Sequence, residues 1–514
     1  MKKVNVSIAG ASILLSGFSV FSKGVGFIRE IIYARNFGLS PEFDLFLTCA
    51  ALPTVINTSV LYLGQHYFIP AYNKLNNQSE SKGDEFLNYT FWFFISGGIF
   101  LSLLLLFLSN LFIGFYLSNM SSEIQVKGHQ IFLLFLITIP VNSGFSIITA
   151  YMQAKFNFIY PAISQLILNL IIILLVYFLT SNLKIFILPV SFIIAYFISL
   201  IILIKPVLNK LDFKIKYLFK NKFELLNINN LLFLIVIESL SLSYVLIDRY
   251  FIGKIPSGGL AALNYANVIY SLPVSIFSIS LITTMFSKFS QSSVRSDEQL
   301  KSDFKNAINI NSFVIIPIMF LFYFWGDIFL KIFYERGAFS PRDTILTHQA
   351  LKYYIVSLVF YSSYLIAVKL LYSINNYKLI MWLSVISFFL KIILNIILVT
   401  DLYQNGLALS TTIIYIFLFI TAFYFISEKI NIKDKTYNYI PILYFLINGI
   451  LSFIIVDICL SFLPGAKLIY IVLQIMCFLA IYLFNSFFLK NYEYKMLSDS
   501  MISIFSNLKQ KIKT

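Results

Sequence analysis

The chain has 514 residues, of which 59% are hydrophobic and only 12% are charged. Soluble domains carry about 25% charged residues, so this composition excludes an ordinary water-soluble globular protein and indicates lipid as the solvent. The formal net charge is +15. This positive charge does not indicate a nucleic-acid partner, because most of the basic residues lie in the loops predicted to face the cytoplasm. Three cysteines, Cys49, Cys459 and Cys477, lie in apolar runs without metal-ligand spacing, which predicts buried packing rather than a metal site.

Apolar runs long enough to cross a bilayer recur along the whole chain. A spanning helix needs about 20 residues, because it rises about 1.5 Å per residue through a hydrocarbon layer about 30 Å thick. The runs therefore predict an all-α polytopic membrane protein with about fourteen transmembrane helices. The predicted helices cover roughly residues 8–36, 43–72, 86–109, 130–154, 159–180, 185–205, 230–252, 259–288, 306–330, 345–374, 378–400, 404–427, 438–462 and 467–489.

Lysine and arginine are distributed unequally between alternate predicted loops. With the N-terminus placed inside, the inner loops and the C-terminal tail hold 24 of the 38 Lys and Arg residues, and the outer loops hold 7. Because cytoplasmic loops retain Lys and Arg, this pattern predicts a multi-pass protein with both termini in the cytoplasm. The longest polar stretch, residues 206–229, alternates Lys with apolar residues and predicts an amphipathic cytoplasmic linker at the membrane surface.

Two halves of the chain resemble each other at a nearly constant offset. Leu52–Pro53 precedes Leu272–Pro273 by 220 residues, and His129–Gln130 precedes His348–Gln349 by 219. Each half would hold six helices, so the copies have the same orientation, a plan in which transporters handle substrate between two lobes. The predicted domains are an N-terminal six-helix lobe (1–205), the linker (206–229), a C-terminal six-helix lobe (230–428), and two extra helices with a tail (429–514).

Ionisable residues inside the predicted spans indicate which helix sides face protein or water. Each such residue costs about 2.5–3.5 kcal/mol at a helix centre on insertion scales. In the first predicted helix, Lys23 and Glu30 are seven residues apart, as are Ser22 and Arg29, so both pairs stack on one side. We interpret that side as the lining of a cavity, and the alternative is a structural ion pair with Asp44. Further ionisable residues in the spans include Glu238, Asp248, Arg249, Lys352, Lys369 and Lys391.

Cations in a shielded cavity attract phosphate or carboxylate strongly, and arginine does so with bidentate geometry. The predicted anion-binding residues are Lys23, Arg29 and Lys369, and the predicted polar or gating residues of the cavity are Glu30, Asp44, Asp248 and Arg249. Residues that can bend a membrane helix are the candidate hinges for opening it. They are Gly24, Gly26, Pro53 and Pro273.

The run Ser22–Glu30, followed by Ala34–Gly38, resembles the first-helix signature of the MurJ/MviN lipid II flippases. Further matches to that family are Asp44–Phe46 with Leu52–Pro53, Asp248–Arg249 with Ala262–Asn267, and Glu335–Phe339. Together they extend over roughly residues 10–400 in order. The resemblance implies two six-helix lobes plus two helices, a plan shared with the multidrug/oligosaccharidyl-lipid/polysaccharide exporter superfamily. It also implies alternating access in a bacterial cytoplasmic (inner) membrane, with an undecaprenyl-diphosphate-linked glycan flipped from the inner to the outer leaflet.

The resemblance also implies roles for particular residues. Lys23 and Arg29 would correspond to the family's cavity cations and hold the diphosphate, and Asp44 would correspond to its helix-2 acid. The chain departs from the family pattern at Asn57, Thr58 and Val268, where family members usually carry arginine. Lys369 would supply one cation from another position.

These departures leave other functions open. A flippase for an O-antigen or capsule unit is one alternative, and a cation-coupled drug antiporter of the same superfamily is another, although the excess of cations in the first helix argues against the antiporter. A membrane glycosyltransferase would need a carboxylate cluster or a large aqueous loop, which the sequence lacks, so we predict a transporter and not an enzyme. No cofactor is predicted, and coupling to Na⁺, H⁺ or the membrane potential is open. The expected partners are the lipid-linked glycan and membrane lipid, and the expected state is a monomer.

Overall fold

The structure is a computed structural model that describes residues 8–212, 228–430, 440–460 and 467–488. Within these ranges every regular element is a helix. The predicted amphipathic linker lies largely outside the described residues, and the predicted C-terminal tail lies wholly outside them. The α-helices are α1 (Ile8–Phe37), α2 (Pro41–Leu63), α3 (Ile69–Gln78), α4 (Glu80–Phe107), α5 (Ser109–Leu117), α6 (Ser122–Leu136), α7 (Thr138–Ala154), α8 (Ile159–Leu183), α9 (Ile187–Ile204), α10 (Ile228–Arg249), α11 (Gly259–Pro273), α12 (Ile279–Arg295), α13 (Asp297–Tyr334), α14 (Pro341–Val356), α15 (Leu358–Ser373), α16 (Tyr377–Lys429), α17 (Ile440–Leu460) and α18 (Lys467–Phe488).

Each predicted span has a helical counterpart, and the predicted all-α membrane fold is confirmed. By length and apolar composition, the described part of the chain has 8 helical stretches able to cross a membrane, or 9 when the bent pair α14 and α15 is taken as one. Two of these stretches contain two predicted spans each. In α16 the chain reverses at Tyr403, whose φ of 50° lies in the left-handed region.

The surface of the helices is as apolar as their sequence. Phe100, Phe107 and Phe178 are exposed by 65%, 85% and 68%, respectively. Exposed apolar surface of this extent is unfavourable in water and is expected where helices face lipid. In contrast, Phe68 and Phe86 are fully buried, and their rings stack at 5.4 Å where α4 packs beside α3. The chain is therefore a multi-pass membrane protein in which some aromatic residues pack in the interior and others face lipid.

The described residues belong to two compact units that are discontinuous in sequence. The first unit comprises Met1–Val268, Lys331–Thr347 and Tyr377–Leu407. It contains the cavities and buried ion pairs on which the functional argument rests. The second unit comprises Ile269–Leu330, His348–Asn376 and Ala408–Thr514. The division into lobes 1–205 and 230–428 stays a prediction.

Two helices contain wide turns that the sequence did not predict. A π-helical segment, Gly64–Phe68, joins α2 to α3, and another, Val274–Ser278, joins α11 to α12. Such segments leave carbonyl groups outside the regular ladder and are a recognised cause of helix bending. The segment Val274–Ser278 follows Pro273 directly. Pro53 lies inside α2, more than ten residues before the segment Gly64–Phe68. Gly24 and Gly26 lie in the uninterrupted helix α1, so the hinge role of these four residues stays a prediction.

The start of the linker is anchored to the beginning of α4. The ammonium group of Lys210 lies 2.7 Å from a carboxylate oxygen of Glu80 and 2.8 Å from one of Asp84. The hydrogen bond with Asp84, and then the one with Glu80, raises the pKa of Lys210. Trp92 adds a hydrogen bond from its indole to the carbonyl of Asp212 at 3.2 Å. The last described residues before 213 are thus held against the first unit.

Candidate functional site

Arg29 is the centre of the polar side of α1. Its guanidinium donates one hydrogen bond to Oδ1 of Asn169 on α8 at 3.1 Å and another to the Glu30 carboxylate at 2.7 Å. The same group lies 5.6 Å from the ring centroid of Tyr33 and 5.7 Å from that of Phe192. These are cation–π distances. The side chain of Arg29 is therefore oriented from several directions, and its carboxylate partner is Glu30 rather than Asp44.

One cavity extends from Arg29 toward the N-terminal part of α1. Its volume is about 540 Å³, and its walls come from α1, α2, α7, α8 and the first π-helical segment. We call it the amide cavity, because four side-chain carboxamides line it beside two cations. Its cations and carboxamides are Lys23, Arg29, Gln65, Gln153, Gln165 and Asn169. Lys23 and Arg29, which the sequence assigned to one cavity, thus share this one; their binding of a diphosphate stays a prediction.

A second, smaller cavity lies on the other side of Arg29. Its volume is about 240 Å³, and most of its wall is apolar or aromatic, so we call it the aromatic cavity. Its charged residues are Arg29, Glu30 and Arg249, and its aromatic residues are Tyr33, Phe43, Phe46, Phe135 and Phe192. Glu30 accepts a further hydrogen bond from Asn264 of α11 at 3.4 Å. Arg29 lines both cavities and is thus the charged group at which they meet.

The positions where family members usually carry arginine differ in their surroundings. Thr58 lines the aromatic cavity. Asn57 is buried and donates a hydrogen bond to the hydroxyl of Thr138 at 2.9 Å, so it joins α2 to α7. An arginine at Thr58 would therefore reach cavity space, whereas one at Asn57 would displace a helix-packing contact.

The C-terminal end of α1 is closed by tight backbone contacts. The N–H of Ala338 donates to the carbonyl of Arg35 at 2.7 Å. A methyl group placed on Gly337 would lie 2.3 Å from that carbonyl oxygen, and one on Gly38 would lie 2.4 Å from the carbonyl oxygen of Ala338. Both glycines have positive φ, +62° and +51°. Only glycine permits this approach without displacing the backbone.

Replacing Gly337 with alanine is expected to loosen this closure, because the added methyl group would collide with backbone and favour a different φ. The measurement is labelling of a cysteine at Thr54, which lines the aromatic cavity, by an impermeant thiol reagent added outside cells, with the natural cysteines replaced. With the N-terminus inside, as the charge pattern predicts, the variant should label faster. Gly97→Ala is the control, since open space surrounds Gly97; equal labelling in both variants would contradict the proposed closure.

Asp44 caps the start of α11 and does not line either cavity. Its two carboxylate oxygens accept hydrogen bonds from the backbone N–H groups of Gly258 and Ala261 at 2.6 and 2.7 Å. The residue is only 3% exposed. A carboxylate at a helix N-terminus satisfies donors that have no partner in the helix and favourably meets the helix dipole. Asp44 thus joins the start of α2 to the start of α11 beside the closure.

Asp248 and Arg249 are neighbours in sequence but have different surroundings. Arg249 is buried, lines the aromatic cavity, and has its guanidinium 3.5 Å from the carbonyl of Leu260. Asp248 does not line either cavity. It forms an ion pair with Lys391 of α16 at 2.8 Å and accepts a hydrogen bond from Asn395 at 2.7 Å.

Lys369 lies in α15, in the second unit. Its ammonium group is 5.7 Å from the ring centroid of Phe286 and 5.4 Å from that of Tyr372. These aromatic neighbours suit a partly desolvated cation. Its predicted contact with an anionic ligand stays a prediction.

Sequence reasoning missed the neutral half of the amide cavity. Gln65, Gln153, Gln165 and Asn169 stand in otherwise apolar helices, and that isolation is the signal that could have singled them out. Among the described residues, no group of three or more His, Cys, Asp or Glu side chains is placed to hold a metal ion. The chemistry that the cavities offer is therefore attraction of an anion at Arg29 and Lys23, beside carboxamides that can donate and accept hydrogen bonds.

Comparison with known proteins gives matches over most of the chain. A family model described as lipid II flippase MurJ matches residues 33–496. A probable lipid II flippase MurJ of Borreliella burgdorferi is 28% identical over 454 residues, which cover 86% of this chain and 87% of the relative. The lipid II flippase MurJ of Thermosipho africanus is 25% identical over 410 residues, covering 79% and 83%, respectively.

Solved structures show the same fold. A lipid II flippase MurJ in an inward closed conformation superposes with a TM-score of 0.78 at 24% identity, over 93% of this chain and 99% of that one. A multidrug resistance MATE family transporter of the MOP superfamily, in an inward-facing conformation, gives a TM-score of 0.69 at 12% identity, over 80% and 94%, respectively. At these identities the likeness concerns the fold alone.

Proposed function

This chain belongs to the MurJ family of lipid II flippases, and from that premise we propose that it moves lipid II from the inner to the outer leaflet of the bacterial cytoplasmic membrane. The observation that carries the proposal is Arg29, a partly buried guanidinium at the junction of two cavities. A diphosphate offers the paired oxygens that guanidinium groups bind best. The protein acts as a transporter and a monomer, and the undecaprenyl chain stays in lipid.

The two cavities suggest an order of events. With the N-terminus in the cytoplasm, the amide cavity lies toward the inner leaflet and the closure at Gly337 lies toward the outer one. The headgroup enters the amide cavity, and its diphosphate binds Lys23 and Arg29 while the closure keeps the outer side shut. Separation of the closure then opens the aromatic cavity to the outside. Arg29 serves both steps, because it lines both spaces.

The charge of the lining favours this substrate over a lipophilic cation. The amide cavity has two cations among its lining residues and no carboxylate. A cationic drug would meet repulsion there and find no acid to pair with. An anionic lipid-linked glycan would meet attraction.

The deciding experiment is rescue of a bacterium depleted of its own lipid II flippase. Expression of this chain should restore growth and restore labelling of outer-leaflet lipid II by a membrane-impermeant reagent. The control is the same plasmid without the gene. Lack of outer-leaflet labelling, in cells where the protein is inserted at normal abundance, would contradict the proposal.

A further inference from the structure

The amide cavity places four neutral carboxamides beside two cations in a space between membrane helices. Polar side chains are costly there and normally pair with one another. In the described part of the chain, the carboxamides of Gln65 and Gln153, which are half-buried, and of Gln165, which is exposed, make no hydrogen bond to another residue. All three line this cavity and are available to a ligand in it. The lining thus presents unused donors and acceptors around a volume of about 540 Å³, within the range of about 300–1,000 Å³ typical of small-ligand sites.

Two further polar atoms in the same lining are buried without a partner. The hydroxyl of Thr149 has none, and this residue is only 5% exposed. The Nε atom of Arg29 has none either, although the rest of the guanidinium is hydrogen-bonded. Buried polar atoms without partners are few in native proteins and ask for an explanation, of which a ligand is one. Both atoms belong to residues that line the amide cavity.

We propose that the amide cavity binds the sugar attached to the diphosphate, and that its carboxamides select the headgroup. This rests on the proposed function. A diphosphate held by Arg29 and Lys23 places its first sugar one bond away, inside the space that these residues share with Gln153 and Gln165. Sugar hydroxyl and acetamido groups both donate and accept hydrogen bonds, and carboxamides can meet both needs.

The same lining argues that the cavity holds the sugar rather than the headgroup's peptide. The diphosphate takes both cations of the lining, Lys23 and Arg29. The lining then offers no carboxylate to a peptide amino group and no third cation to a peptide carboxylate. A neutral, hydroxyl-rich ring next to an anion fits this distribution of charge. Every residue of the lining lies between Ser22 and Asn169. All the residues proposed to bind the sugar therefore belong to the first half of the chain.

The test measures binding of three lipids to the purified full-length protein in lipid nanodiscs. The probes are undecaprenyl diphosphate, undecaprenyl diphosphate bearing the disaccharide without the peptide, and lipid II. The native protein should bind the two glycosylated probes with similar affinity, and each about tenfold more tightly than undecaprenyl diphosphate. The double variant Gln153→Leu/Gln165→Leu should lose that tenfold preference while it binds undecaprenyl diphosphate as before. Gln130→Leu, at an exposed position on α6 that does not line either cavity, is the matched control and should keep the preference.

The outcomes separate this inference from the function on which it rests. If the native protein binds none of the three lipids, the proposed function fails. If it binds all three equally, or if the double variant keeps the native preference, the sugar assignment is overturned while diphosphate binding stands. If lipid II binds much more tightly than the peptide-free probe, the peptide is the recognised group and the assignment is overturned as well.

Discussion

Arg29→Ala is expected to abolish transport while the protein still folds and inserts at normal abundance. Arg29 is the charged group shared by both cavities. Its loss therefore removes the guanidinium both from the amide cavity, where the diphosphate first binds, and from the aromatic cavity, which opens afterwards. A hydrogen bond to a charged group contributes about 1.5–3 kcal/mol, and bidentate phosphate binding uses two. The measurement is rescue of flippase-depleted cells, together with the affinity of the purified variant for undecaprenyl diphosphate. We expect that affinity to fall at least about tenfold.

Two further variants make the interpretation specific. Arg35→Ala removes an arginine from the same helix at a position whose side chain is exposed and lines neither cavity, so rescue should persist. Arg29→Lys keeps the charge but loses the planar pair of donors that now serves Asn169 and Glu30, so rescue should be partial. Full rescue by Arg29→Ala, at native abundance, would remove Arg29 from the binding site.

The helices were predictable because lipid imposes length and apolarity on every span. The run 159–205, for example, reads as two spans with a polar break near Lys184, and the structure has α8 and α9 on either side of a 3₁₀ turn at that lysine. What the sequence could not predict is the local departure from α-helix. The segments Gly64–Phe68 and Val274–Ser278 contain no residue pattern that specifies a π turn, since such turns are set by packing.

The candidate site was predictable in its charges and not in its neutral residues. Lys23, Arg29 and Glu30 are conspicuous because ionisable groups in a span are expensive. Gln153 and Asn169 are uncharged, so their smaller penalty left only their isolation in apolar helices as a signal. Asp44 shows a different limit. Its partners are backbone N–H groups more than 210 residues away, at Gly258 and Ala261, and backbone donors leave no trace in sequence.

The second large effect is expected at the buried pair of Asp248 and Lys391. Lys391 is fully buried, and its ammonium group is 2.8 Å from the Asp248 carboxylate and 3.1 Å from the carbonyl of Leu407. Lys391→Met should destabilise the protein by about 3–5 kcal/mol, because it leaves a carboxylate in a low-dielectric interior without its counter-ion. Loss of folded, monodisperse protein on heating in detergent measures the change.

The double variant Asp248→Leu/Lys391→Met tests whether the cost comes from the unpaired charge or from the lost hydrogen bond to Leu407. Replacing both partners with apolar groups removes the charge imbalance and is often neutral for a buried pair, so this variant should regain most of the native thermal stability. Lys352→Met, at an exposed lysine of α14, is the single-lysine control and should change stability little. If Lys391→Met is as stable as the native protein, the ion pair contributes nothing. If the double variant is as unstable as Lys391→Met, the ammonium acts through its bond to Leu407, the contact that secures the reversal of α16 at Tyr403.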